Sequence, residues 1–302
     1  MSRGSSGKVI AGLGLGIALG TAFGFYALAP NVEGGPAGSN YQTENQLQAE
    51  RHARQAAEGN NAVSDAVLSE VSGDIVKNEL KSLSVVIFTT PDANADFVRD
   101  IQSLIKAAGG NLSGTVQLTE KVLNTDSGDQ VKSLAANSLP TGVKLDEENR
   151  TPGMHAGQLI GGALHTGDKE VADSDRAVAL GALENADLLA YQGKPPAAAD
   201  LALIVSGSED NDYATSFLAD FAKGLDSKMA GVVVAGDYES AEQNGAVAKI
   251  RDNHDAAGNL STVDNVDTEA GRITVIRALR EQKDDRAGHY GSASNATKET
   301  VE

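Results

Sequence analysis
The chain has 302 residues and a formal net charge of −17, with 40% hydrophobic residues, 4% aromatics, no tryptophan and no cysteine. That length accommodates one large domain or two small ones. The charge repels phosphate backbones and anionic lipid, which argues against nucleic acid as a partner, and the lack of cysteine excludes disulfides, zinc–thiolate sites and thiol nucleophiles. A core rich in alanine and glycine is expected.

Residues 1–8 carry Arg3 and Lys8 ahead of VIAGLGLGIALGTAFGFYALA (9–29), and no charge occurs between Val9 and Val32. At about 1.5 Å per residue a helix of this length crosses a hydrocarbon core of about 30 Å, so 9–30 is expected to be a single membrane span. A dinucleotide-binding reading of Gly12 and Gly14 fails, because Ile17 stands where the third glycine would be and no strand precedes it. Gly12, Gly16, Gly20 and Gly24 instead repeat every fourth residue, which lets a second helix backbone come close. Ala27-Leu28-Ala29 resembles a signal-peptidase site, but the apolar run exceeds the usual length and Pro30 follows the cut. An uncleaved anchor in the plasma membrane is expected, N-terminus in the cytoplasm and bulk outside.

A Gly/Pro/Ser/Asn linker (31–40) leads to a helix-favouring segment, 41–83, with a break expected at EGNN (58–61). Its apolar residues, including Leu47, Val63, Val67, Val71 and Ile75, form a narrow stripe suited to a paired coiled-coil stalk. A solvated single helix is the alternative.

The period changes at Ser84. SVVIFTT is a buried-strand run ended by Pro91-Asp92, NADFVRDIQSLIKAAGG a helix with Phe97, Ile101, Leu104 and Ile105 on one face and Gly109-Gly110 as its stop, and NLSGTVQL a second strand. DLALIVSG, DYATSFLADFAKGL and AGVVVAGD repeat the strand–helix–strand order, with Tyr213, Phe217 and Phe221 four apart on the helix. Residues 120–138 and 157–192 are expected to add helices, and GRITVIRALRE (271–281) a strand running into a short helix. Residues 84–284 therefore predict an α/β domain, a mainly parallel Rossmann-like or flavodoxin-like sheet with helices on both faces, and 285–302 a disordered tail.

Ligands of such sheets lie beyond the carboxyl ends of the strands, here Thr89 to Asp92, Ser206 to Asp210 and Gly236 to Tyr238. These carry no nucleophile elbow and no phosphate-loop lysine, and turn and cap chemistry accounts for their Ser, Gly and Asp residues. No enzymatic activity is expected. The chain has five histidines and three methionines, and the local metal candidates are Met154, His155 and His289, with weak copper binding and no resident cofactor expected. Histidines on exposed loops are the ordinary alternative.

SVVIFTTPDAN (84–94), the AAGG closing the next helix, STVDNVDTEAGRITVIRAL (261–279) and GHYG (288–291) resemble the actinobacterial copper transport protein B family, as does a span followed by a polar helix. The resemblance implies copper transport or homeostasis in the cell envelope, with an outer (mycolate) membrane as the family's alternative location. Corynebacterial members imply a rival role, a scaffold in cell separation that regulates septal peptidoglycan hydrolysis through protein partners. Twelve aromatics, three of them inside the span, cannot furnish the girdles of a membrane β-barrel. One helix cannot line an aqueous path, so transport would need oligomers, a homodimer first of all, or an envelope partner.

Overall fold
The computed structural model describes residues 39–167, 171–208 and 211–301, so residues 9–29 and the Gly12, Gly16, Gly20, Gly24 face lie outside the described residues. Among those described, no helix is long and apolar enough to cross a membrane. The chain divides into two compact units, Met1–Asn61 and Ala62–Glu302.

Helix α1 (Ser39–Ile75) begins in the first unit and ends in the second, uninterrupted where a break was expected at 58–61. A helical glycine costs about 1 kcal/mol; Gly59 meets nothing within 4 Å, and the preceding Arg54–Glu58 pair at 2.9 Å supports the turn. In the second unit, Leu68 packs against the core and Ser72 and Val76 are buried. Turns at 76–82 then lead into the sheet.

Seven strands form one sheet in the order β3-β2-β1-β4-β5-β6-β7: β1 (Ser84–Thr89), β2 (Asn111–Leu118), β3 (Leu189–Tyr191), β4 (Leu201–Val205), β5 (Val232–Ala235), β6 (Ser261–Val263) and β7 (His289–Tyr290). All neighbours are parallel except the β2–β3 pair. With β3 set aside, the first five parallel strands follow the 2-1-3-4-5 order of doubly wound sheets, with the direction of winding changing between β1 and β4. The mainly parallel α/β fold read from the alternating runs is therefore present.

Side chains alternate across the sheet. Val86, Phe88, Ala202, Ile204, Val232 and Val234 enter one core, Val85, Ile87, Leu201, Leu203, Val205 and Val233 the other. The second core is covered by α2 (Ala95–Ala107), α9 (Glu269–Lys283) and the end of α1. Helix α2 starts where Asn94 accepts from Asp96 N (2.9 Å) and ends as expected: Gly109, at φ 77°, lets Gly110 N reach back to Ile105 O (2.9 Å).

The first core lies under α3 (Gly128–Asn137), α4 (Pro152–Leu164), α5 (Asp173–Asn185), α6 (Asp212–Asp226), α7 (Ala246–Asp252) and the single turn α8 (His254–Ala257). Phe221 meets Phe88 edge-on at 5.2 Å and stacks on Phe217 at 6.1 Å, which in turn lies 6.4 Å from Tyr213. Among the described residues, helices α4 and α6 make the most extensive helix–helix contact. Gly153, Gly157 and Gly161 present a bare ridge to α6; a Cβ on Gly157 would stand 2.8 Å from Leu225 N and 2.9 Å from Gly224 Cα. Only glycine allows that approach of two backbones.

Three expectations are corrected. Residues 189–191, expected in a helix, form β3: α5 ends at Asn185, Asp187 turns the chain at φ 59°, and the apolar Leu188 and Leu189 enter the core. Residues 271–281 contain no strand but lie wholly in α9, which starts where Thr268 Oγ1 accepts from Gly271 N (3.0 Å) and buries Arg272, Ile273, Val275, Ile276 and Leu279 at helical spacing. The strand is β6, ten residues earlier. Finally, 285–302, expected to be disordered, contains β7 and packs against the domain, because Tyr290, Ala293 and Val301 are buried and Arg277 donates to Val301 O (2.7 Å).

Candidate functional site
Because β1, β4 and β5 are neighbours, the described parts of the three segments singled out beyond their carboxyl ends come together, residues 209–210 lying outside the described residues. Thr90 N donates to Val205 O (3.1 Å), Gly207 N to Thr90 Oγ1 (3.1 Å), and Thr90 Oγ1 to Asp92 Oδ1 (2.5 Å). Gly207 has no room for a side chain, since a Cβ would stand 2.5 Å from the Asp92 carboxyl carbon. The two loops flanking the change in winding are thus bound to each other across the place where ligands of doubly wound sheets usually sit. Next to them, Ser208 Oγ donates to Asp237 Oδ2 (3.2 Å), while Asp237 Oδ1 accepts from Ser240 N (3.2 Å). These hydroxyls and carboxylates hold loops, as cap and turn chemistry requires.

Two buried oxygens in the loops past β4 and β6, Ser206 Oγ and Asn265 Oδ1, lack hydrogen-bond partners. Burial, with Asp237 and Asp65 adding like charge, raises the pKa of Asp267. Among the described residues, no three or more His, Asp or Glu side chains are grouped so as to hold a metal ion.

Met154 and His155 lie on α4, and both are buried rather than on a loop. Thr151 caps that helix by accepting from Met154 N (3.3 Å). His155 Nε2 lies 3.1 Å from Asp146 O, a carbonyl that can only accept, so Nε2 carries a proton, and Nδ1 has no partner. His289 sits elsewhere, on β7 beside α7, α8 and β6. Its Nε2 faces Ala257 O (3.1 Å) and its Nδ1 faces Thr262 Oγ1 (2.9 Å), so neither ring nitrogen is left for a metal. The structure does not bring His289 to Met154 and His155, and of the three candidates only His155 offers a free nitrogen.

The stalk candidates are exposed: Val63 66%, Val67 58%, Val71 43% and Ile75 37%. They run along one ridge of α1, while Asp65, Leu68 and Ser72, continued by Val76 just past the helix end, form another ridge that meets the domain. There Asp65 Oδ1 accepts from Glu269 N (3.1 Å) at the start of α9.

Two features escaped sequence reasoning. The glycine ladder of α4 has the same four-residue spacing as the one at 12–24, and that spacing was its signal. The other is a buried ion pair, Arg251 Nη1 to Asp264 Oδ2 (2.8 Å), with the two side chains 3% and 0% exposed. Arg251 also donates to Thr262 Oγ1 (2.9 Å), Asn295 Oδ1 (2.7 Å) and Tyr290 O (2.9 Å), and Asp264 accepts from Ser292 N (2.7 Å). No spacing in the sequence announces that pair, because its members and partners come from α7, β6 and the tail.

The motifs that carry the resemblance now have places: β1 with its loop, the end of α2, β6 with α9, and β7. The family described as "Copper transport outer membrane protein, MctB" matches residues 9–301. The copper transporters MctB of Mycobacterium bovis and Mycobacterium tuberculosis are each 34% identical to this chain over 242 residues, 77% of this chain and 77% of theirs. That of Mycobacterium leprae is 34% identical over 246 residues, 77% of this chain and 78% of its own. The chain belongs to the MctB family of copper transport proteins.

Proposed function
We propose that this chain is a non-enzymatic, single-span protein of the cell envelope that serves copper homeostasis as an oligomer or with an envelope partner. Residues 9–30 anchor it in the plasma membrane, and the α/β domain stands outside. The observation that carries this reading is the likeness to proteins named copper transporters along three quarters of the chain. Copper is cargo here, not a resident cofactor. The soft-ligand supply is small, with no Cys and with Met154 and Met229 besides the initiator. A strain lacking the protein should lose copper tolerance and regain it from the intact gene. Unchanged tolerance would refute the reading. Fractionation of the envelope tells an inner from an outer membrane location.

A second reading, a paired scaffold acting in cell separation through septal hydrolase partners, draws on one observation, the exposed Val63, Val67, Val71, Ile75 ridge. Chains of unseparated cells in the deletion strain, at normal copper tolerance, would favour it over the first.

A further inference from the structure
Strand β7 is held to the sheet by two residue pairs, Thr262 with His289 and Val263 with Tyr290, and a hydrogen-bond relay runs beneath it. Arg251 Nε–H points at Thr262 Oγ1 (2.9 Å), so that oxygen is already accepting and its one proton is directed to His289 Nδ1 (2.9 Å). His289 Nε2–H in turn donates to Ala257 O (3.1 Å). With the ring neutral, every proton in this relay has an acceptor. A second ring proton would make Thr262 Oγ1 accept from two N–H groups, turning its own proton out of the relay, and would place an imidazolium beside a guanidinium 3% exposed.

The surroundings do not neutralise that charge. Asp264, at the end of β6, is occupied by Arg251 Nη1, Ser292 N (2.7 Å) and Ala293 N (3.3 Å). Helix α8 offers the ring a carbonyl, while its Asp255 is exposed. Glu281 of α9 accepts from Tyr290 OH on the opposite face of the strand. In the tail, Lys298 meets His289 through backbone N–H to O, as does Thr297.

We propose that Arg251, Thr262 and His289 form an acid-operated latch, in which a proton on His289 releases residues 289–301 from the sheet and bares the edge of β6. The freed edge would present Thr262 N and Asp264 N, which now donate to Gly288 O and Tyr290 O. Burial first, and Arg251 next, depress the pKa of His289 in the closed form. The closed form therefore binds fewer protons than the open one. Closure is fully favoured above about pH 6.5 and weakens as pH falls below it, the opening equilibrium rising about tenfold per pH unit until the closed-form pKa is passed.

The test is hydrogen exchange of the full chain in detergent, read by mass spectrometry at pH 7.0, 6.0 and 5.5 and corrected for intrinsic exchange rates. Peptides covering 288–301 should exchange faster as pH falls, by up to about eightfold between pH 7.0 and 5.5, with β1 and β4 unchanged and with no such dependence in His289→Gln. Absence of acceleration, acceleration equal to that of the core strands, or its survival in His289→Gln would overturn the latch. Should that variant not fold, exchange at the His289 ring carbon of the native chain decides: a ring pKa at or above about 6.5 overturns the proposal and a depressed one supports it.

Discussion
Helices α1 and α4 both carry a ladder at four-residue spacing, and only one ladder is filled. On α4, Gly153, Gly157 and Gly161 admit the backbone of α6 so closely that all residues from Gly153 to Leu164 are buried. On α1, Val63, Val67, Val71 and Ile75 stay in solvent, although they are the more hydrophobic set. Ridges of this spacing are what helices interlock with, but hydrophobicity alone does not choose which ridge is used. On α1 the domain takes the ridge of Asp65, Leu68 and Ser72, because the Asp65 carboxylate satisfies an N–H at the start of α9 while Leu68 joins the core. The more apolar ridge is thereby left exposed, and that exposure is the observation from which the scaffold reading is proposed.

The comparison breaks most readily at Gly157. Gly157→Val would drive a side chain into Leu225 N and Gly224 Cα, and backbone cannot move aside as side chains do. The expected loss is about 3 kcal/mol, read as a lower urea midpoint by circular dichroism. A loss below about 1 kcal/mol would mean that the two helices are not so close. Gly161→Ala tests the same ladder where it is looser, with the new Cβ 3.1 Å from Lys228 Cβ and 3.2 Å from Leu225 Cα. About 1 kcal/mol should be lost there, less than at Gly157 in any case.

On α1 the sharper test is Asp65→Ala, which leaves Glu269 N without its acceptor and should cost about 1 kcal/mol, as the loss of a helix cap does. Val67→Asp with Val71→Asp is expected to change domain stability least, within about 0.5 kcal/mol, since both side chains are exposed. The same pair should nonetheless abolish crosslinking between copies. Unchanged crosslinking in that double variant would remove the ridge from the scaffold reading, whatever its stability.

The sequence by itself determined the parts whose signal is local. The continuous apolar runs at 84–89, 201–205 and 232–235 are strands because they suit a pleat buried on both faces, and Gly109-Gly110 ends α2 because the next bond needs a positive φ. It also sufficed for the family, since motifs survive as words. Only the tertiary structure decided the rest. Residues 261–263 and 289–290 are too short to show a period, and they are strands because β6 pairs with β5 and β7 with β6, with Arg251 of α7 bonding Thr262, Asp264 and Tyr290 O. Residues 271–281 contain β-branched side chains that read as strand in isolation, yet a cap at Thr268 and burial at helical spacing make them helix. The same holds for the candidate metal ligands. Spacing could name Met154, His155 and His289, but whether a ring nitrogen is free depends on which carbonyl or hydroxyl lies against it, and that is settled by residues 9 and 27 positions away.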